Sequence, residues 1–137
     1  MILRPATLDD VPAVLAFWKI AAEDTNRGGD DTAAVRALIA RDPEALRLAV
    51  ADGEIVGSLV AGFDGWRCHL YRFAVHPDRR RQGIGALLLA DAEERFRRFG
   101  GRRADAMVLD DNTLAHFAWA AAGYAPQEEW RRWVKSL

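Results

Sequence analysis

At 137 residues, half of them hydrophobic, the chain has enough material for one domain with a real core and little room for two. A formal net charge of −1 argues against general nucleic-acid affinity; the lone Cys68 excludes an intramolecular disulfide, and three dispersed histidines offer no zinc spacing, so no metal is expected. No apolar run approaches the ~20 residues of a membrane span and the N-terminus lacks a signal peptide's apolar core, so a soluble, cytoplasmic protein with no membrane partner is expected.

In chain order, Ile2 to Ala6 reads as a short strand, and Leu8-Asp9-Asp10 leads into a helix from Val11 to Ala22 with Val11, Val14, Leu15, Trp18 and Ala22 on one face. A polar loop with Gly28-Gly29 follows. Asp30 or Asp31 then caps a second helix through Ala40, with Pro43 beyond its end. Strands from Leu46 to Ala51 and Ile55 to Phe63 are joined by the hairpin signal Asp52-Gly53, and Asp64-Gly65 turns into a strand from Trp66 to Val75. A long helix from Gly83 to Phe99 places Ile84, Leu88, Ala92, Phe96 and Phe99 on one side. Its outer face carries the i,i+4 pairs Asp91/Arg95, Glu93/Arg97 and Glu94/Arg98. Gly100-Gly101 ends it. A strand from Ala104 to Leu109, a helix from Thr113 to Ala122 and two short strands near Tyr124 and from Trp130 to Val134 complete the chain.

The segment from Val75 to Leu88 is the most informative. It reads as a strand ending at His76-Pro77, a basic turn and a glycine-bearing helix start. The first N–H groups of a helix lack intrahelical partners and the helix dipole adds positive charge, so such a start is an anion site. Gly83 and Gly85 admit a phosphate to the backbone, and Arg79, Arg80 and Arg81 surround it with positive charge. A Walker A loop is excluded because no Gly-Lys pair exists, and a dinucleotide fingerprint is excluded by Leu88 where a third glycine belongs.

What remains, Arg80-x-x-Gly83-x-Gly85, resembles the pyrophosphate loop of the GNAT N-acetyltransferases, which bind acetyl-CoA. Leu70 to Pro77 looks like that family's fourth strand, Asp110-Asp111-Asn112 falls where the family often places an asparagine, and Gly123-Tyr124 resembles its Gly-Phe or Gly-Tyr pair. Gly62 to Arg67 is similar to a hairpin in small bacterial members. The resemblance implies one GNAT domain over residues 1–137: a mixed, mostly antiparallel central sheet of 6–7 strands flanked by about four helices, in the order β-α-α-β-β-β-α-β-α-β-β. It implies an acetyl-CoA-dependent N-acetyltransferase that moves an acetyl group from the thioester to a primary amine by direct attack. Arg80, Arg81, Gln82, Gly83, Ile84, Gly85 and Ala86 would hold pyrophosphate. Backbone near Phe73, Ala74 and Val75 would hold pantetheine where the fourth strand splays from the fifth, and Asn112 and Trp119 would complete that side.

The chemistry needs a neutral amine, a stabilised oxyanion and a departing thiolate. Many members place a general-acid tyrosine four residues before the Gly-Phe pair. Here that position is Trp119, whose indole N–H donates a hydrogen bond and is no practical proton donor. His116 is a candidate substitute, or else a surface histidine. For the base, the family position is Tyr71, and His69 shares its strand parity; histidine titrates near neutrality and is the better base. Both residues also fit ordinary strand packing, a bulge would alter their parity, and a water chain could serve instead. His76 is a weaker candidate, nearer the pyrophosphate. For the acceptor, Glu23, Asp24, Asp30 and Asp31 could steer a cationic amine, or cap a helix and face solvent. Trp18, Trp66, Trp130 and Trp133 suit a pocket, the core or a homodimer interface. Trp119 leaves open a non-catalytic acyl-CoA-binding module; a nucleic-acid binder is disfavoured by the acids interleaved with the arginines of the long helix.

Overall fold

A computed structural model describes residues 1–21 and 31–137. Its elements in chain order are β1 (Ile2–Pro5), a 3-10 turn (Leu8–Asp10), α1 (Val11–Ala21), α2 (Thr32–Arg41), β2 (Leu46–Ala51), β3 (Glu54–Phe63) and β4 (Cys68–Val75). A second 3-10 turn (Pro77–Arg79), α3 (Ile84–Arg98), β5 (Ala104–Ala106) and α4 (Thr113–Ala121) follow. The strands form one sheet in sequence order, antiparallel from β1 to β4, with β5 parallel to β4. The result among the described residues is an α+β fold of four helices on a five-stranded mixed sheet.

Both faces of the sheet are covered, so its central strands read as continuous apolar runs rather than as alternating ones. Along β3, Leu59, Val60 and Ala61 are all fully buried but in turn face opposite sides. Val60 joins Leu48, Ala74 and the α1 residues Val14, Phe17 and Trp18. Leu59 and Ala61 join Leu70, Leu88, Ala92 and Phe96 under α3. The entry to α1 is fixed by Asp10, which accepts from Arg4 through two bonds of 2.7 and 2.8 Å and from the Thr7 N–H at 2.7 Å. The Arg4 guanidinium holds the Asp10 carboxyl well below the usual carboxylate range. At α2, Asp31 is the cap: its Oδ1 accepts from the Ala34 N–H at 2.6 Å. Ala22, Glu23, Asp24 and Asp30 lie outside the described residues.

Three sequence expectations are corrected. Arg95 does not sit on an outer helix face opposite Asp91. It is 4% exposed, and donates to the Asp42 carboxylate and to the Ala61 carbonyl at 3.3 Å. Asp91 instead accepts from Arg47 of β2 at 2.6 Å, and Glu93 accepts from the Tyr124 hydroxyl. The i,i+4 rule counts only neighbours on the same helix, and here partners on the sheet and beyond α4 win. The second correction concerns the expected strand from Ala104 to Leu109, which stops at Ala106 because β5 pairs β4 only from Cys68 to Leu70. The third is the final strand pair near Tyr124 and from Trp130 to Val134, which is absent: residues 124–137 adopt no strand. Trp130 and Trp133 are three residues apart, a spacing that puts them on opposite sides of any strand, and both are exposed.

Candidate active site

β4 carries a bulge that organises everything around it. Ser58 pairs with Ala74 and Val60 with Tyr71, so Leu59 alone faces both Arg72 and Phe73. Arg72 takes the left-handed region, with φ of 53°. A chain of buried hydrogen bonds holds this shape: the Trp18 indole donates to Ser58 Oγ at 2.9 Å, and Ser58 donates to the Arg72 carbonyl at 2.9 Å. The Arg72 guanidinium lies 4.9 Å from the Trp18 ring centroid. Each such bond contributes about 0.5–1.5 kcal/mol, and all three participants come from different elements.

The bulge decides which way the side chains face. Phe73 and Val75 pack under α3. His69 and Tyr71, two and four residues before Phe73, instead line a cavity on the α2 side with Leu38 and Asp42. The parity that unites the four residues in the sequence is therefore broken. The β4–β5 register runs only to Leu70, which leaves Tyr71 to Val75 without a strand on that side among the described residues.

At its C-terminal end β4 runs into the basic turn. His76 Nδ1 accepts from the Asp78 N–H at 3.1 Å, so this imidazole caps the turn. Arg80 is extended, Arg81 has φ of 63°, and Gly83, with φ of 82° and ψ of 4°, is the residue before α3. A left-handed residue leading into a right-handed helix forms a concave nest of N–H groups. The first intrahelical acceptor is the Gly83 carbonyl, which takes the Leu87 N–H, so the N–H groups of Ile84, Gly85 and Ala86 have no acceptor within the helix. Gly85 lies flat on β4: a Cβ there would come 3.0 Å from Phe73 Cζ. Beside it a cavity of about 170 Å³ opens between α3 and α4, lined by Phe73, Gly85, Ala86, Leu89 and alanines of α4. An anion-ready helix start continuing into an apolar slot fits a ligand with a phosphate end and an uncharged arm.

Trp119 is part of the wall. It is 8% exposed and meets Phe73 and Tyr124 edge-on, with centroids 5.0 Å apart in each case. Tyr124 is no substitute acid, since its hydroxyl donates to Glu93 at 2.8 Å and burial pushes its phenol well above the ordinary value. Asn112 caps α4, its Oδ1 accepting from the Ala115 N–H at 3.1 Å. His116 Nε2 donates to the Leu109 carbonyl at 2.9 Å, which ties the imidazole to the loop before α4.

The other candidate base is differently placed. His69 Nδ1 lies 2.7 Å from Asp105 Oδ1, across the parallel register that sets the two residues side by side. A carboxylate only accepts, so Nδ1 carries a proton, and in the neutral imidazole Nε2 then presents a lone pair. The two side chains are 42% and 62% exposed, so the pair contributes orientation more than stability. Beside it Tyr71, its phenol pushed up by burial and by Asp42, shares a cavity of about 190 Å³ with Asp42 and Asp64. The structure thus brings His69 and Tyr71 together and sets them apart from Asn112, His116 and Trp119. Asp105, Ser58 and Asp42 were not singled out by the sequence, and Asp64 was read only as a turn residue. A lone carboxylate inside a short apolar strand is the one signal that points to Asp105.

A bulged strand leading into a glycine-cradled helix start agrees with what the sequence resemblance implies. The chain belongs to the acetyltransferase (GNAT) family, whose model matches residues 14–124. It is 32% identical over 112 residues to an acetyltransferase of Pectobacterium atrosepticum, spanning 82% of this chain and 79% of the relative. Among solved structures, YncA of Salmonella typhimurium, determined with its cofactor acetyl-CoA, is similar with a TM-score of 0.75 at 22% identity, over 90% of this chain and 78% of its own. An aminoglycoside acetyltransferase from an uncultured soil metagenomic sample, in complex with trehalose, reaches 0.79 at 16% identity, over 99% and 95%. At these identities the two structures speak for the fold.

Proposed function

We propose that this protein is an acetyl-CoA-dependent N-acetyltransferase acting on a primary amine, with His69 as general base. The observation that carries the reading is the His69–Asp105 pair, 2.7 Å apart, on the same strand as the Arg72 bulge. Bound acetyl-CoA supplies an activated acyl group as a thioester. Arg80, Arg81, Gln82 and the N–H groups of Gly83 to Ala86 hold its pyrophosphate, and the backbone of Phe73, Ala74 and Val75, on the side beyond the β5 pairing, holds the uncharged arm. A backbone N–H at the bulge polarises the carbonyl.

His69 Nε2 takes a proton from the incoming ammonium, directly or through one water, while Asp105 keeps the opposite proton on Nδ1. The amine lone pair then forms the C–N bond, the C–S bond breaks with its electron pair going to sulfur, and the second amine proton ends on that sulfur. An ordinary thiol has a pKa near ~8.5, so the thiolate is a competent leaving group near neutral pH and Trp119 in place of an acid is tolerable. Tyr71 orients the acceptor.

Thiol should be released from acetyl-CoA only when a primary amine is added, with the amine gaining one acetyl group by mass spectrometry. Acetyl-CoA binding without thiol release across a broad amine panel would overturn the catalytic reading.

A further inference from the structure

The cavity that His69 faces has a charge pattern of its own. It holds about 190 Å³, roughly the liquid share of six waters, which suits a compact molecule. On one wall the last turn of α2 supplies Arg41 and Asp42; on another the β3–β4 connection supplies Asp64. Asp42 is neutralised from behind, because the buried Arg95 donates to its Oδ2. Asp64 is fixed through one oxygen only: Oδ1 accepts from the N–H groups of Trp66 at 2.8 Å and Arg67 at 2.6 Å. Those bonds hold the Asp64 carboxyl below the usual range, so it stays charged, and its Oδ2 has no partner among the described residues. The Arg41 guanidinium likewise has none among the described residues.

Arg41, and Asp64 with one oxygen unpartnered among the described residues, thus line a small cavity that His69 also lines. A diamine would set its second cation against Arg41. A lysine side chain entering from a protein would present only methylenes to it. A molecule bearing both charges satisfies both walls. Resting on the reading of His69 as the base, we propose that the acceptor is a small zwitterion of the amino-acid class, its ammonium between Asp64 and His69 and its carboxylate on Arg41.

Alanine and alaninamide, which differ in the carboxylate alone, separate the possibilities. With acetyl-CoA saturating, alanine should have a kcat/KM at least tenfold above alaninamide, mainly through KM. Arg41→Gln should bring the ratio close to one by raising KM for alanine, and Arg41→Lys should recover part of it. Equal rates for the two amines, or a preference untouched by Arg41→Gln, would overturn the proposal while leaving acetyl transfer intact. If neither amine releases thiol, calorimetry with alanine alone decides: binding lost in Arg41→Gln supports the site without the chemistry, and no binding of alanine to the wild type overturns it.

Discussion

Replacing His69 by alanine should lower kcat by about 10²-fold or more, the usual range for losing a positioned base, while leaving the affinity for acetyl-CoA within about twofold. His69 lies on the α2 side of the bulge, whereas the phosphate nest begins beyond His76, at the other end of β4. Asp105→Asn should fall between, at about tenfold, since an amide can present its N–H₂ to Nδ1 and reverse the tautomer. If His69→Ala retains the rate, a water chain removes the proton and the pair with Asp105 is structural.

The second large effect concerns Gly83. Its φ of 82° costs a branched residue about 1–2 kcal/mol, and the chain escapes that strain by turning out of the left-handed region. The N–H groups of Ile84, Gly85 and Ala86 would then no longer converge. Gly83→Val should weaken acetyl-CoA binding at least tenfold by calorimetry. Nothing lies within 4 Å of a Cβ built at this position, so packing within the protein is not the cause. Gly83→Asn is the informative companion, because asparagine tolerates the left-handed region and should keep most of the affinity. Equal losses in the two variants would mean that bulk at the ligand, not backbone conformation, sets the effect; no loss in either would place the pyrophosphate elsewhere.

These two sites were not equally legible in the sequence. The phosphate nest is local: a strand end, Pro77, three arginines and two glycines lie within a dozen residues, and each acts on its own neighbours. The five strands and four helices among the described residues likewise follow from local patterns, with ends that shift by a few positions. What depended on long-range pairing was hidden. His69 can be recognised as a candidate, but Asp105 becomes its partner only through a parallel register of three residue pairs. Arg95 reads as an exposed helix residue until Asp42, 53 positions away, is brought beneath it. The bulge was foreseen as a possibility for β4, yet its brace, Trp18 to Ser58 to Arg72, spans three elements and leaves no pattern in any of them. The tail from Tyr124 misled for the opposite reason: its aromatic and branched residues suit a strand, but three-residue spacing gives no single face to bury.

The proposed base and acceptor cavity act only if β4 and α3 form a site for an acyl-CoA. Calorimetric titration with acetyl-CoA, with coenzyme A as the comparison, tests that most directly. Tight binding of one acetyl-CoA per chain is the predicted result, with coenzyme A binding at the same stoichiometry. Absence of heat and of binding for both would contradict the account at its foundation, because neither the base nor the acceptor cavity would then have a donor to act on.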